Sequence, residues 1–597
     1  MLRKILYTII SLVPIVGHSQ PLEITIPIYS IYPSPLSMET VSVDTIYPES
    51  DSTNVTVGDL LDSNSSITAV RSGGVGQQTS VFTRGTNSNH TLFMINGSSI
   101  TDHSTTNGLF DAGIDPVPYS TSIDVYKGSQ STLFGPGAIG GAVNINTATA
   151  VTDKAEIGYG SNNWQSISVD KSLSNDGGLY SLRVNQDQSD GYSVVAGGDP
   201  DGYEFQSINF DSEHYLKNGI LQSTIVYRDA HTELDGAGID DTDYTSDSKF
   251  YFYQLRYQGD GFNFVIDRNQ HDREYNNTGE LDTYDSQTNH VRFSINQSVN
   301  SLDITAGADM SQYSAQFENR GSYNSSVDKS AENLAGFVNW DWIGDSFIIN
   351  GGVRRDWNSL HTPVSTYRLG TGYIISDDVT LIAGTNTGFK APTLYEMYGA
   401  DNFGYTGNPN LREETAQTYE IGVVTDSRDK WSHFSSRSVF FITEINDQIT
   451  YDNSTYTNDS SGTSMIQGWD FNSTYHVDQT KIKTGVMYVI AQDSSNNQMT
   501  RRPNLTANIG VDHYVTSDTK LWYNWQYHGD HRDIHPSTYQ VVDREYQHHT
   551  DIGFDHLINE NAVVSGVISN VTDLTYERPY GYSQPGREIS IRFKYFF

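Results

Sequence analysis

"REISIRFKYFF", residues 587–597, sets Ile589, Ile591, Phe593, Tyr595 and Phe597 on one side of an extended chain and Ser590, Arg592 and Lys594 on the other. Successive side chains of a strand point to opposite faces, so the segment has one apolar and one polar face. The alternation recurs at 251–257, where Tyr251, Tyr253, Leu255 and Tyr257 interleave with Phe252, Gln254 and Arg256. It recurs again at 521–527, with Asn524 and Gln526 among the aromatics. A soluble sandwich or propeller would bury the apolar set in a dry core. The many Asn, Gln and charged residues on the other face suit a wet lumen instead, and the aromatic-ended last segment suits the closing strand of a membrane barrel. The expected fold is an all-β transmembrane barrel over 151–597, with the polar set facing inward. At roughly 20 residues per strand with its share of loop, it would have about 22 antiparallel strands, a width that calls for a plug.

Composition agrees with that reading. The 597 residues include 39 Tyr, 24 Phe, 8 Trp and 51 Gly, yet only 36% are hydrophobic, the balance of many half-apolar strands. The 36 basic against 72 acidic residues give a formal charge of -36, which excludes a phosphate-binding basic surface and hence a nucleic-acid partner. With no Cys, there is no disulfide, thiolate nucleophile or Cys-ligated metal. No nucleophile, base and acid stand at readable spacing, so neither an enzyme nor a catalytic cofactor is expected.

At the N-terminus, Arg3 and Lys4 precede an apolar run from Ile5 to Val16 and small residues at Gly17 and Ser19. Residues 1–19 read as a secretory signal peptide, too short in the apolar run to span a bilayer as a helix. Residues 20–54 are Pro-punctuated and lack helical periodicity, as a tether would. Residues 55–150 are Gly-rich with short β patterns, and "TVGDLLDS" predicts a short helix; an α+β domain inside the barrel is expected. "SVFTRGTNSNHTLFMINGSSIT", Ser80 to Thr101, reads as a hairpin in that domain.

This segment and "SIDVYKGSQSTLFGPGAIGGAVNINT" resemble the plug domain of TonB-dependent outer-membrane receptors. The likeness extends to the barrel at "GTNTGFKAPTLYEMYG" (384–399), "GNPNLREETAQTYEIG" (407–422) and 568–597. Within the family it is nearest to the cobalamin transporters. The resemblance implies active transport of cobalamin or a related corrinoid across the outer membrane of a Gram-negative bacterium, coupled to the TonB energy-coupling protein of the inner membrane. Iron siderophore or haem uptake by the same machine is the alternative. A passive porin would lack the N-terminal globular domain, and a surface adhesin would need no coupling segment.

"METVSVD", residues 38–44, resembles the Ton box, which places Glu39, Thr40, Val41, Ser42 and Val43 as the TonB-binding residues. An extended, β-branched stretch on a tether is suited to adding a strand to a partner's sheet edge. Plug apices are expected to meet the substrate, with Gly73, Gly74 and Gln77 in one loop and His103, Asn107 and Phe110 in another. A lone loop His such as His103 more often makes a hydrogen bond than ligates a metal. Two acidic loops carry hard oxygen ligands of the kind calcium takes. Motif match carries calcium to Asp199, Asp201, Asp235 and Asp247, although Ser193 stands where the cobalamin transporters have an acidic residue.

Overall fold

The computed structural model describes residues 42–48, 56–115, 120–147, 149, 151–195, 197–236, 238–277, 279–319, 326–400, 404–452 and 454–597. The expected signal peptide and most of the tether, including Glu39, Thr40 and Val41, lie outside the described residues. Twenty-two strands form one closed barrel in which every neighbour pair is antiparallel. The last strand, Glu588–Phe596, closes the ring by pairing with the first, Lys154–Gly160, in a register that sets Phe593 opposite Ile157. Closure leaves the barrel without a sheet edge, which backbone polar groups require in hydrocarbon.

The alternation sorts as the pleat dictates. Ile589, Ile591, Phe593 and Tyr595 lie exposed on the outer wall, whereas Lys594 is buried inside. The inward face is not polar throughout, however. Phe250 and Phe252, on Thr245–Gly259, point inward and are fully buried in a cluster with Val57, Leu61, Phe93 and Ile123. Alternation fixes which face a residue takes, and the plug at that wall supplies an apolar surface where water was expected.

The plug holds a five-stranded sheet in the order Val43–Ile46, Ser122–Lys127, Gly141–Asn146, Thr91–Ile95, Ser98–Ser99. The predicted helix forms at Val57–Asp62, where Thr56 and Asp59 cap each other reciprocally. The expected 80–101 hairpin does not. Thr79–Thr83 pairs with Ile67–Arg71 in a separate two-stranded sheet. Thr91–Ile95 pairs in parallel with Gly141–Asn146, and its tight antiparallel partner is Ser98–Ser99, across Asn96 and Gly97 at positive φ. The Asn-Gly dipeptide turns the chain one strand later than the hairpin reading assumed. Gly140 permits a close approach, since a Cβ there would lie 2.0 Å from Thr86 Oγ1.

Short turns such as 217–218 and 260–261 close one end of the barrel. At the other end stand longer connections, 193–200, 234–244 and 391–413, and the two plug loops 71–78 and 101–111 rise toward them.

Candidate functional site

The first plug loop is anchored at Arg71, whose guanidinium donates to Asp59 at 2.6 Å and to the carbonyl of Gly73 at 3.1 Å. Gly73 has φ +131, and a Cβ there would meet the Gln77 side chain at 2.1 Å. Gln77 is buried and donates through Nε2 to the carbonyl of Glu233 at 3.2 Å. The Tyr192 hydroxyl donates to the carbonyl of Gly73 at 3.1 Å, and a Cβ on Gly74 would lie 3.7 Å from the carbonyl oxygen of Asp201. Gly73, Gly74 and Gln77 therefore sit directly against the acidic outer loops.

Three of the four expected calcium ligands converge there. Asp240 Oδ1 accepts from the backbone N–H of Asp199 at 3.1 Å, and the two carboxyls interact, which raises Asp199 above the usual carboxylate range. Asp235 accepts from the N–H of Asp241 at 2.8 Å through one oxygen, while its Oδ2 is buried without a hydrogen-bond partner. Burial first, and the neighbouring carboxylates Asp240 and Asp199 next, raise Asp235 as well. Asp201 faces Asp235 and accepts from the N–H of Val194 at 3.2 Å. Asp247 stands apart. It shares the outer face with its cross-strand partner His231, with which it pairs at 2.8 Å. Its pleat position, one residue off the inward Ser248, turns it away from the other three. Among the described residues, no three His, Asp or Glu side chains already stand at metal-holding geometry. The carboxylates form facing pairs, and their hard oxygen donors suit calcium.

The second loop meets the neighbouring stretch of wall. Asp102 pairs with Arg273 at 3.0 Å and accepts from Ser286 at 2.9 Å. His103 stacks on Tyr313 with ring centroids 4.2 Å apart, and burial holds its imidazole down at about 4, so it is neutral near pH 7. Asn107 is half-exposed. Phe110 is buried against Phe93 at 4.8 Å and belongs to the plug core rather than to a contact surface.

Below the loops, the N-terminal strand Val43–Ile46 forms one edge of the plug sheet, with Asp44 opposite Val125. Asp44 pairs with Lys127 at 2.7 Å, and Lys127 pairs at 2.7 Å with Asp470 of the barrel wall. Arg84 of the plug binds Asp470 at 3.0 Å and also pairs with Glu420. Ser42, the last residue of the expected coupling segment before the strand, donates to Glu420 at 3.3 Å. Glu420 and Asp470 escaped the reading of the sequence. Their signal is a lone carboxylate at an inward strand position, visible only once the plug cations opposite are known.

A plug domain inside a 22-strand barrel, with its N-terminal strand at the periphery, matches a described family. The model "TonB-dependent Receptor Plug Domain" matches residues 33–142, and "TonB dependent receptor-like, beta-barrel" matches residues 157–552. The chain is a TonB-dependent receptor. As such it resides in the outer membrane of a Gram-negative bacterium, in a family of receptors and transporters rather than enzymes. The receptor is 29% identical over 402 residues to the "Vitamin B12 transporter BtuB" of Vibrio vulnificus strain YJ016, a match spanning 63% of each chain. Among solved structures, it is similar to the siderophore receptor PirA of Acinetobacter baumannii (TM-score 0.78, 14% identity, 94% of this chain and 99% of that one). It is similar also to the copper transporter OprC (TM-score 0.79, 15% identity, 93% and 98%). At those identities the two structures bear on the fold alone.

Proposed function

We propose that the receptor imports cobalamin or a related corrinoid. The observation that carries this reading is the similarity to a vitamin B12 transporter over 402 residues. The cargo would bind at the outer loops and plug apices, and TonB of the inner membrane would engage the segment Glu39, Thr40, Val41, Ser42 and Val43. Pulling that segment would draw on Val43–Ile46 and on the Asp44, Lys127 and Asp470 ion pairs beneath it. The plug would then part from the wall and release cargo to the periplasm. No bond in the cargo is made or broken.

Calcium belongs to the same proposal. Two facing carboxylate pairs, Asp199 with Asp240 and Asp201 with Asp235, repel each other unless a proton or a cation intervenes. A calcium ion at these pairs would tie loop 193–200 to loop 234–244 above the Gly73–Gln77 apex. Of the other residues named from sequence, Gly74, His103 and Asn107 remain in the proposed cargo surface, whereas Gly73, Gln77 and Phe110 act by shaping the apices. Equilibrium binding of cyanocobalamin to the purified, detergent-solubilised receptor tests the reading, first with calcium and then with chelator. Tight binding that weakens in chelator is expected. Binding indifferent to chelator removes calcium and keeps the cargo, and no binding in either condition rejects the corrinoid.

A further inference from the structure

The mouth of the barrel carries a continuous line of aromatic rings drawn from separate elements. Tyr275 ends the inward row of Phe262–Asn277, and its ring lies edge-on to Tyr284 of Glu280–Val299, with centroids 5.7 Å apart. Tyr284 stacks on Phe317 of Leu302–Asn319 at 5.9 Å, and Phe317 lies 5.4 Å from Tyr395 of the helix Leu394–Tyr398. Tyr395 stacks on Tyr405 at 5.0 Å, and Tyr405 meets Tyr456 edge-on at 5.7 Å. Phe317 and Tyr405 are buried as the backing of this arc, while Tyr275, Tyr284, Tyr395 and Tyr456 stay half-exposed.

Three observations mark it as a receiving surface rather than a packed core. First, the arc sits against the plug: Arg273 lies over Tyr284 at 5.3 Å and over Tyr275 at 5.9 Å while pairing with Asp102 of the second plug loop. Second, a cavity of about 140 Å³ lies further down the same wall, lined by His103 of that loop, by Thr393 next to the helix that carries Tyr395, and by Tyr313, two inward positions along the strand that carries Phe317. Third, it adjoins the acidic loops, since Tyr244 at the end of loop 234–244 lies 6.3 Å from Tyr275. Rings whose faces and edges alternate accept another ring by offset stacking or edge contact, with little rotamer entropy lost.

We infer that this aromatic arc takes a flat ring of the cargo against its exposed faces, above the cavity at His103. The inference deepens the import reading and rests on it for the direction of approach, but the ligand class it requires, a large cargo with a planar ring, is wider than corrinoids.

The test is equilibrium binding of three probes, cyanocobalamin, haemin and a ferric tris-catecholate, to the full detergent-solubilised chain. The variants are Tyr284→Ala, Tyr395→Ala and Tyr395→Phe, with Tyr523→Ala on the lipid-facing wall as a control. The expected result is that one probe binds, that each alanine variant in the arc weakens it by about tenfold or more, and that Tyr395→Phe and Tyr523→Ala bind within about twofold of the parent chain. Haemin or the catecholate binding in this pattern while cyanocobalamin does not would keep the arc and reject the corrinoid. Binding unchanged in both alanine variants overturns the arc. So does failure of all three probes to bind. Should Tyr284→Ala not fold, Tyr395→Ala and its phenylalanine partner still decide.

Discussion

The two edges of the plug sheet are fastened to the barrel by different chemistry. At Val43–Ile46, the fastening is ionic and gathers on two barrel carboxylates: Lys127 and Arg84 both reach Asp470, Arg84 also pairs with Glu420, and Asp44 completes the set from the strand itself. At Ser98–Ser99 the bonds are spread out. Ser98 donates to Asp267 at 2.6 Å, Gln254 donates to Ser98 at 2.7 Å and Asn269 donates to the carbonyl of Ser99 at 2.8 Å. The chain reaches Asp102 and Arg273 only just beyond that edge. A buried ion cluster fails as a unit once a member is withdrawn, because the remaining charges lose their partners. Dispersed hydrogen bonds yield one at a time, at about 1 kcal/mol each. The edge that would be pulled from the periplasm is thus the one that lets go abruptly, and the Ser98–Ser99 edge, from which the chain runs on into the second plug loop, is the one that can adjust to a ligand.

Mutations should break that contrast in graded order. Asp470→Ala takes from two buried cations the carboxylate they share, leaving Arg84 with Glu420 and Lys127 with Asp44, and should cost about 3 kcal/mol or more of plug seating, read as protease access to the plug within an intact barrel. Asp470→Glu should recover part of that loss. Phe252→Ala removes a ring shared with the plug core and should cost about 3 kcal/mol by the same assay. Asp102→Asn keeps the shape but loses the charge opposite Arg273, and should cost about 2 kcal/mol, with the ionic edge untouched.

The acidic loops give a smaller effect with a definite sign. Asp199 and Asp235 hold their protons above the ordinary carboxylate range, and calcium needs them ionised. Calcium affinity should therefore rise with pH, and on acidification it should fall before ordinary carboxylates, near 4, protonate. Asp235→Asn should abolish the chelator sensitivity of cargo binding, measured by titration calorimetry. Asp247→Asn should leave it unchanged, since Asp247 faces outward to His231.

Much of the fold was legible because period-two alternation is local. Residues 251–257 and 587–597 reveal their faces without reference to anything distant, and closure follows from the apolar outer wall. What lies opposite an inward residue is not local. Phe252 reads as a misplaced aromatic until Val57 and Phe93 of the plug are set against it. The same holds for Asp470, whose partners Arg84 and Lys127 are far away in sequence. The aromatic arc was hidden for a related reason: its rings come from separate strands and loops, and a single Tyr at a strand end is unremarkable in a chain with 39 of them. At the acidic loops the residue types were readable, but the pleat that excludes Asp247 and the loop turn that brings in Asp240 were not.

TonB-driven corrinoid import is tested most directly by uptake of labelled cyanocobalamin into cells that lack their own transporter and express this chain, with TonB present and absent. Uptake that requires TonB and is lost on deletion of residues 38–43 is expected. Uptake that proceeds without TonB, or no uptake despite a folded receptor in the outer membrane, would contradict it.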